Sequence, residues 1–210
     1  MKTPFFAALA LAVASAGSGY AGTIYNNTTT DTLVTYFYST GPYTQIGDSI
    51  TLGGTDRVLT DATVQFFNNG MAGTFTATLS FWNVGAPVGS QIGSSYVLNL
   101  ISMNQFDIFN VTYSSLNLLV PDNLVFTIAL SNVSNNTMDI GLNAFEAPSV
   151  GSSNNAQIIT GSPFATGLTT AGEGNLYLRL EATTVPEPAT ITMAGAAMLA
   201  LLTARRRAVK

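Results

Sequence analysis

The chain has 210 residues, 47% hydrophobic and 9% charged, a composition that supports a folded core and excludes a disordered tail. It contains neither His nor Cys, which excludes a Ser-His-Asp triad, a Cys nucleophile, imidazole acid–base catalysis, thiolate or imidazole zinc sites and disulfides. The net charge of −4 hides two basic ends: between residues 22 and 184 only Arg57 and Arg179 stand against ten acids, a balance of −8 that repels phosphate backbones and excludes nucleic acid as a partner.

At the N-terminus, Lys2 is followed by an apolar run from Phe5 to Ala14 and then by small residues. This is the order of a secretory signal peptide, and the run falls short of the roughly 20 apolar residues that span a bilayer. Two cleavage points fit a signal peptidase, after Ala16 and after Ala21. The second is favoured because Thr23 begins strand-like sequence. Residues 1–21 are therefore read as a signal helix that is removed.

From there to residue 184, alternation with a period of two recurs. Phe75, Ala77, Leu79 and Phe81 share one face of Gly73–Trp82, while Thr74, Thr76, Thr78 and Ser80 share the other. Leu124, Phe126, Ile128 and Leu130 repeat the pattern, as do Leu176, Leu178, Leu180 and Ala182. Further strands are expected at 33–39, 49–52, 58–68, 95–100, 106–113, 138–145 and 156–160. Asn68-Asn69-Gly70 sits between two of them and predicts a hairpin with a type I′ turn. Gly53-Gly54-Thr55-Asp56 predicts another turn, fastened by an Asp56–Arg57 ion pair. Eight to ten such strands read as an all-β fold, a two-layer antiparallel β-sandwich of jelly-roll type, with a closed barrel as the alternative.

Three kinds of chemistry remain open to this middle segment. Hard-cation binding draws on carboxylates, and Asp48 with Asp56, on either side of a tight turn, is the candidate pair for a structural calcium ion. Sugar binding draws on aromatic faces: Trp82 falls on the Thr76, Thr78 and Ser80 side of its strand, and Tyr36, Tyr38 and Tyr177 could join it. Carboxylate glycosidase chemistry needs two acids at a set distance. Asp48, Asp56, Asp61, Asp107, Glu146 and Glu173 lie in no motif that sets one, so no catalytic residue is assigned.

The C-terminus is a separate segment. Pro186 and Pro188 end the fold by about Val185, because proline cannot continue a ladder or a helix interior. Residues 189–204 carry no charge, and Arg205, Arg206 and Arg207 follow, favouring the cytoplasmic face. Such a segment would be a single transmembrane helix with its N-terminal side outside. At about 1.5 Å per residue it reaches roughly 24 Å, under the roughly 30 Å of hydrocarbon, which suits a temporary anchor.

Val185-Pro186-Glu187-Pro188, one apolar helix and a terminal Arg cluster together resemble the PEP-CTERM sorting signal. The resemblance implies recognition of Pro186, Glu187 and Pro188 by an exosortase, a membrane-embedded transpeptidase-like protease of exopolysaccharide-producing Gram-negative bacteria, with residues 185–210 as substrate. Ile46–Phe66 is also similar to an opening of uncharacterised exported sandwich domains, which implies no activity. The expected protein is exported, anchored transiently in the inner membrane and then found at the cell surface or outside it. It is read as a non-catalytic surface or matrix component associated with exopolysaccharide, and the alternatives are a carbohydrate-binding module and a glycoside hydrolase.

Overall fold

Strand-forming alternation carries through to the backbone. The computed structural model describes residues 21–38, 45–85, 89–160, 168–169 and 175–184, without the side chains of 154–160 and 168–169. Among these it places β1 (Gly22–Asn27), β2 (Asp31–Phe37), β3 (Gln45–Thr51), β4 (Val58–Asn68), β5 (Gly73–Asn83), β6 (Gln91–Met103) and β7 (Asp107–Leu119). There follow β8 (Asn123–Ser131), β9 (Ile140–Phe145), β10 (Ser152–Thr160), β11 (Leu168–Thr169), β12 (Asn175–Leu176) and β13 (Leu178–Thr183). No helix occurs among the described residues, and the signal helix and the apolar span at 189–204 lie outside them.

Ala21–Thr183 form one compact unit; the remainder, apart from Thr184, lies outside the described residues. All strand pairs are antiparallel, and they make two sheets with no ladder between them among the described residues, so the closed-barrel alternative does not hold. In the first sheet β4 is central: β7 runs along one side of it, and β13 and β9 share the other. β1 flanks β13, β2 flanks β9, and β12 continues the line of β13 against β9. The second sheet has the order β11-β10-β3-β8-β5-β6.

Period-two alternation decides which side chains meet between the sheets. Leu59, Val64 and Phe66 of β4 and Leu178 and Leu180 of β13 join Ile46, Leu79, Phe81, Phe126 and Ile128 of the second sheet in one buried cluster. Phe66 and Phe75 meet edge to face across the layers at 5.2 Å, an arrangement that the ring quadrupoles favour.

The expected hairpin at Asn68-Asn69-Gly70 is not formed. β4 and β5 belong to different sheets, and neither Asn69 nor Gly70 has positive φ, so the segment is a crossing between layers and not a type I′ turn. The buried Asn68 side chain directs it. Its amide donates to the carbonyls of Met71 (3.0 Å) and Asn104 (2.9 Å), and its oxygen accepts from the N–H groups of Gly70 (3.0 Å) and Asp139 (3.2 Å). A Cβ on Gly70 would collide with the Thr137 carbonyl, which is why the crossing needs glycine there.

The expected turn after β3 exists, but its fastening is different. Arg57 pairs with Asp122, not Asp56, at 2.7 Å, and its guanidinium donates to the carbonyls of Gly53, Gly54 and Asp56. Five donors in a planar fork suit a cluster of turn carbonyls better than one carboxylate.

β6 and β7 are edge strands, and each is broken by bulges at residues with positive φ: Gly93 and Leu100 in β6, Ser115 and Asn117 in β7. Bulged edges resist pairing with other chains, which guards an exposed rim that includes Leu100, Ile108 and Leu119.

Candidate functional site

Among the described residues one carboxylate is strongly perturbed, and it lies inside the body. Asp48 is opposite Phe126 in the ladder of β3 with β8, so it faces the core and is 1% exposed. It accepts from the N–H of Ser49 (2.7 Å), from the Ser153 hydroxyl (3.1 Å) and from the N–H of Leu176 in the first sheet. Burial pushes its carboxyl up to about 7, and those hydrogen bonds only partly counter the shift. Tyr25, fully buried on β1, stands beside it; burial and the nearby carboxylate hold the phenol well above its ordinary range. Asn27 donates to the carbonyls of Asn175 and Leu176, both at 3.1 Å. Asp48 and Asn27 therefore clamp the Leu176 peptide from its two ends, tying β12 to both sheets.

A second arrangement lies on the outer face of the first sheet. There Thr35 of β2 donates to Asn143 of β9 (2.7 Å), Asn143 donates to Gln65 of β4 (2.8 Å), and Gln65 donates to Asn110 of β7 (3.0 Å). The antiparallel register makes this row: Thr35 is opposite Asn143 and Gln65 is opposite Asn110. One step of the pleat away, Ile108 is opposite Phe67, and Gly141 stands between Phe67 and Phe37, whose rings are 6.0 Å apart. A Cβ at Gly141 would come within 3.0 Å of the Phe37 ring, so glycine gives that ring its place. On the other side of the amide row, Tyr177 packs edge to face on Phe145 at 5.0 Å, and burial raises its phenol.

The structure places the four aromatic candidates in three different settings, two outer faces and the margin of the core. Trp82 is half-buried on the outer side of the second sheet, its indole N–H donating to Thr127 at 3.0 Å. Tyr177 is on the outer face of the first sheet. Tyr36 and Tyr38 pack against the core, and the Tyr38 hydroxyl donates to the Ile128 carbonyl at 2.8 Å. They do not form a common platform. Asp48 and Asp56 are likewise apart in setting, one between the layers and one partly exposed in the turn after β3. No group of three or more Asp or Glu side chains suited to a metal gathers among the described residues. Glu173 lies outside those residues, as do Pro186, Glu187, Pro188 and Arg205, Arg206 and Arg207.

Sequence reasoning missed the amide row. Gln65 and Asn110 do occupy outward positions of strands read from alternation, but only the register shows that they meet.

The body leads directly to the sorting segment: β13 ends at Thr183, buried strand residues precede it, and residues 184–207 match the PEP-CTERM protein-sorting motif. The matched stretch includes Pro186, Glu187 and Pro188 and the Arg205–Arg207 cluster. It supports an exosortase-processed exported protein, with the envelope or cell surface as its destination and an exosortase as processing partner. No curated protein and no solved structure matches the chain.

Proposed function

We propose that this chain is a non-catalytic envelope protein that is exported behind a signal peptide, held briefly in the inner membrane by residues 189–204, released by an exosortase and then associated with exopolysaccharide at the surface. The observation that carries the reading is the sorting motif at 184–207, joined without a spacer to the last strand of a β-sandwich body. A jelly-roll pedigree for that body fits its two antiparallel sheets. The non-catalytic role is supported by a sequence without His or Cys, and by a perturbed carboxylate that is sealed between the layers and already hydrogen-bonded.

The test is fractionation of cells that carry the natural chain or a variant with Pro186→Ala, Glu187→Ala and Pro188→Ala together. The natural chain is expected at the surface or in the medium, and the variant in the inner membrane. Equal release of both would refute sorting through this motif.

A further inference from the structure

Export and sorting leave the outer face of the first sheet unexplained. The hydrogen bonds of its amide row run head to tail from Thr35 through Asn143 and Gln65 to Asn110, so each polarises the next. The row ends at the sheet edge on Asn110, which is exposed; its oxygen accepts from Gln65, and its NH2 group makes no hydrogen bond among the described residues. A donor strengthened by its neighbours is thus offered to solvent.

Beside it runs the apolar row of Ile108, Phe67 and Phe37, with Ile108 exposed and both rings partly so. Rows two residues apart on a strand are about 7 Å apart, and successive members lie about 4.8 Å from one strand to the next. A sugar ring presents a C–H face that stacks on an aromatic ring and a rim of hydroxyls that donate and accept. Rings seated on the apolar row put that rim over the amides.

Charge selects among glycans. Neither row contains an Asp, Glu, Lys or Arg, and the −8 balance of residues 22–184 repels an acidic polymer. From the paired rows we infer that the outer face of the first sheet binds an uncharged polysaccharide that crosses the strands, with Phe67 under a ring face and Asn110 and Gln65 on the hydroxyls. This rests on the exopolysaccharide association proposed above for its ligand class, but not on sorting.

The test is native affinity electrophoresis of protein recovered from the cell envelope, in gels containing a neutral β-glucan, a neutral mannan or, as the acidic control, alginate. At least one neutral polymer is expected to retard the protein, and alginate is not. Asn110→Asp keeps the acceptor for Gln65 and removes the donor, and it is expected to weaken retardation about tenfold, as is Phe67→Ala. Trp82→Ala, on the other sheet, is expected to leave it unchanged. Absence of retardation by both neutral polymers, retardation of both variants like the natural protein, or equal retardation by alginate would overturn the inference. Asn110 is exposed, so its variant tests binding even if Phe67→Ala unfolds. The mass of the same recovered protein reports tail processing separately: processed protein that no neutral polymer retards would sink this site and leave the sorting reading standing.

Discussion

Replacing Asp48 with Asn is expected to remove a pH dependence that the natural protein owes to one buried carboxyl. In the folded body this group holds its proton up to about 7, because burial disfavours the charge, while in the unfolded chain it ionises near its ordinary 3.8. Between those values the folded state binds the extra proton, so stability falls as pH rises. The contribution is complete below about pH 4 and lost by about pH 7; at about 1.4 kcal/mol per pH unit, the loss is about 4 kcal/mol. The Ser153 hydroxyl favours the ionised form, so Ser153→Ala moves the upper limit higher. Urea unfolding followed by Trp82 fluorescence, at several pH values from about 4 to about 7, measures the effect as the difference between the natural protein and Asp48→Asn. The natural protein is expected to lose stability relative to the variant as pH rises. A difference that stays flat, or runs the other way, would refute it.

Three further outcomes follow from the packing. Asn68→Ala strips partners from two carbonyls and two N–H groups at the layer crossing and is expected to cost about 3 kcal/mol or more in urea unfolding. Arg57→Ala removes three carbonyl bonds and the pair with the largely exposed Asp122; a cost of about 1–2 kcal/mol is expected, and most of it should remain in high salt because the carbonyl bonds are not an ion pair. A chain that stops after Gly174 leaves β1 without its ladder partner and is expected to be degraded by protease, whereas one that stops after Thr184 resists. Equal resistance of the two would show that β13 does not close the sheet.

Much of the body could be read directly from the sequence, because alternation has a local cause. Val58–Asn68 was expected and found with the same bounds, and the inward faces of Gly73–Asn83 and Asn123–Ser131 follow from their Phe and Leu spacing. The edge strands β6 and β7 are longer than expected, since bulges let them continue past residues that break the pattern. Asn68-Asn69-Gly70 misled for a physical reason: the dipeptide favours a hairpin, but Asn68 spends its side chain on four long-range and local bonds that carry the chain to the other layer. Arg57 misled in a similar way, because the nearest acid in sequence was not the acid in reach. Candidate binding residues were the least legible: alternation with Leu176 and Leu178 sets Tyr177 on the outer face, but nothing local places Tyr36, and the register decides that it faces the core. The sorting tail was legible because its order of prolines, apolar residues and arginines is contiguous and needs no register.

The most direct test of the account is the intact mass of the protein recovered from its host's envelope, compared between cells with and without exosortase. The account predicts a chain that begins at Gly22 in both, ends near Pro186-Glu187-Pro188 when exosortase is present, and keeps its tail through Lys210 when it is absent. A full-length chain in the cytosol with its leader attached, or the same C-terminus in both hosts, would contradict it.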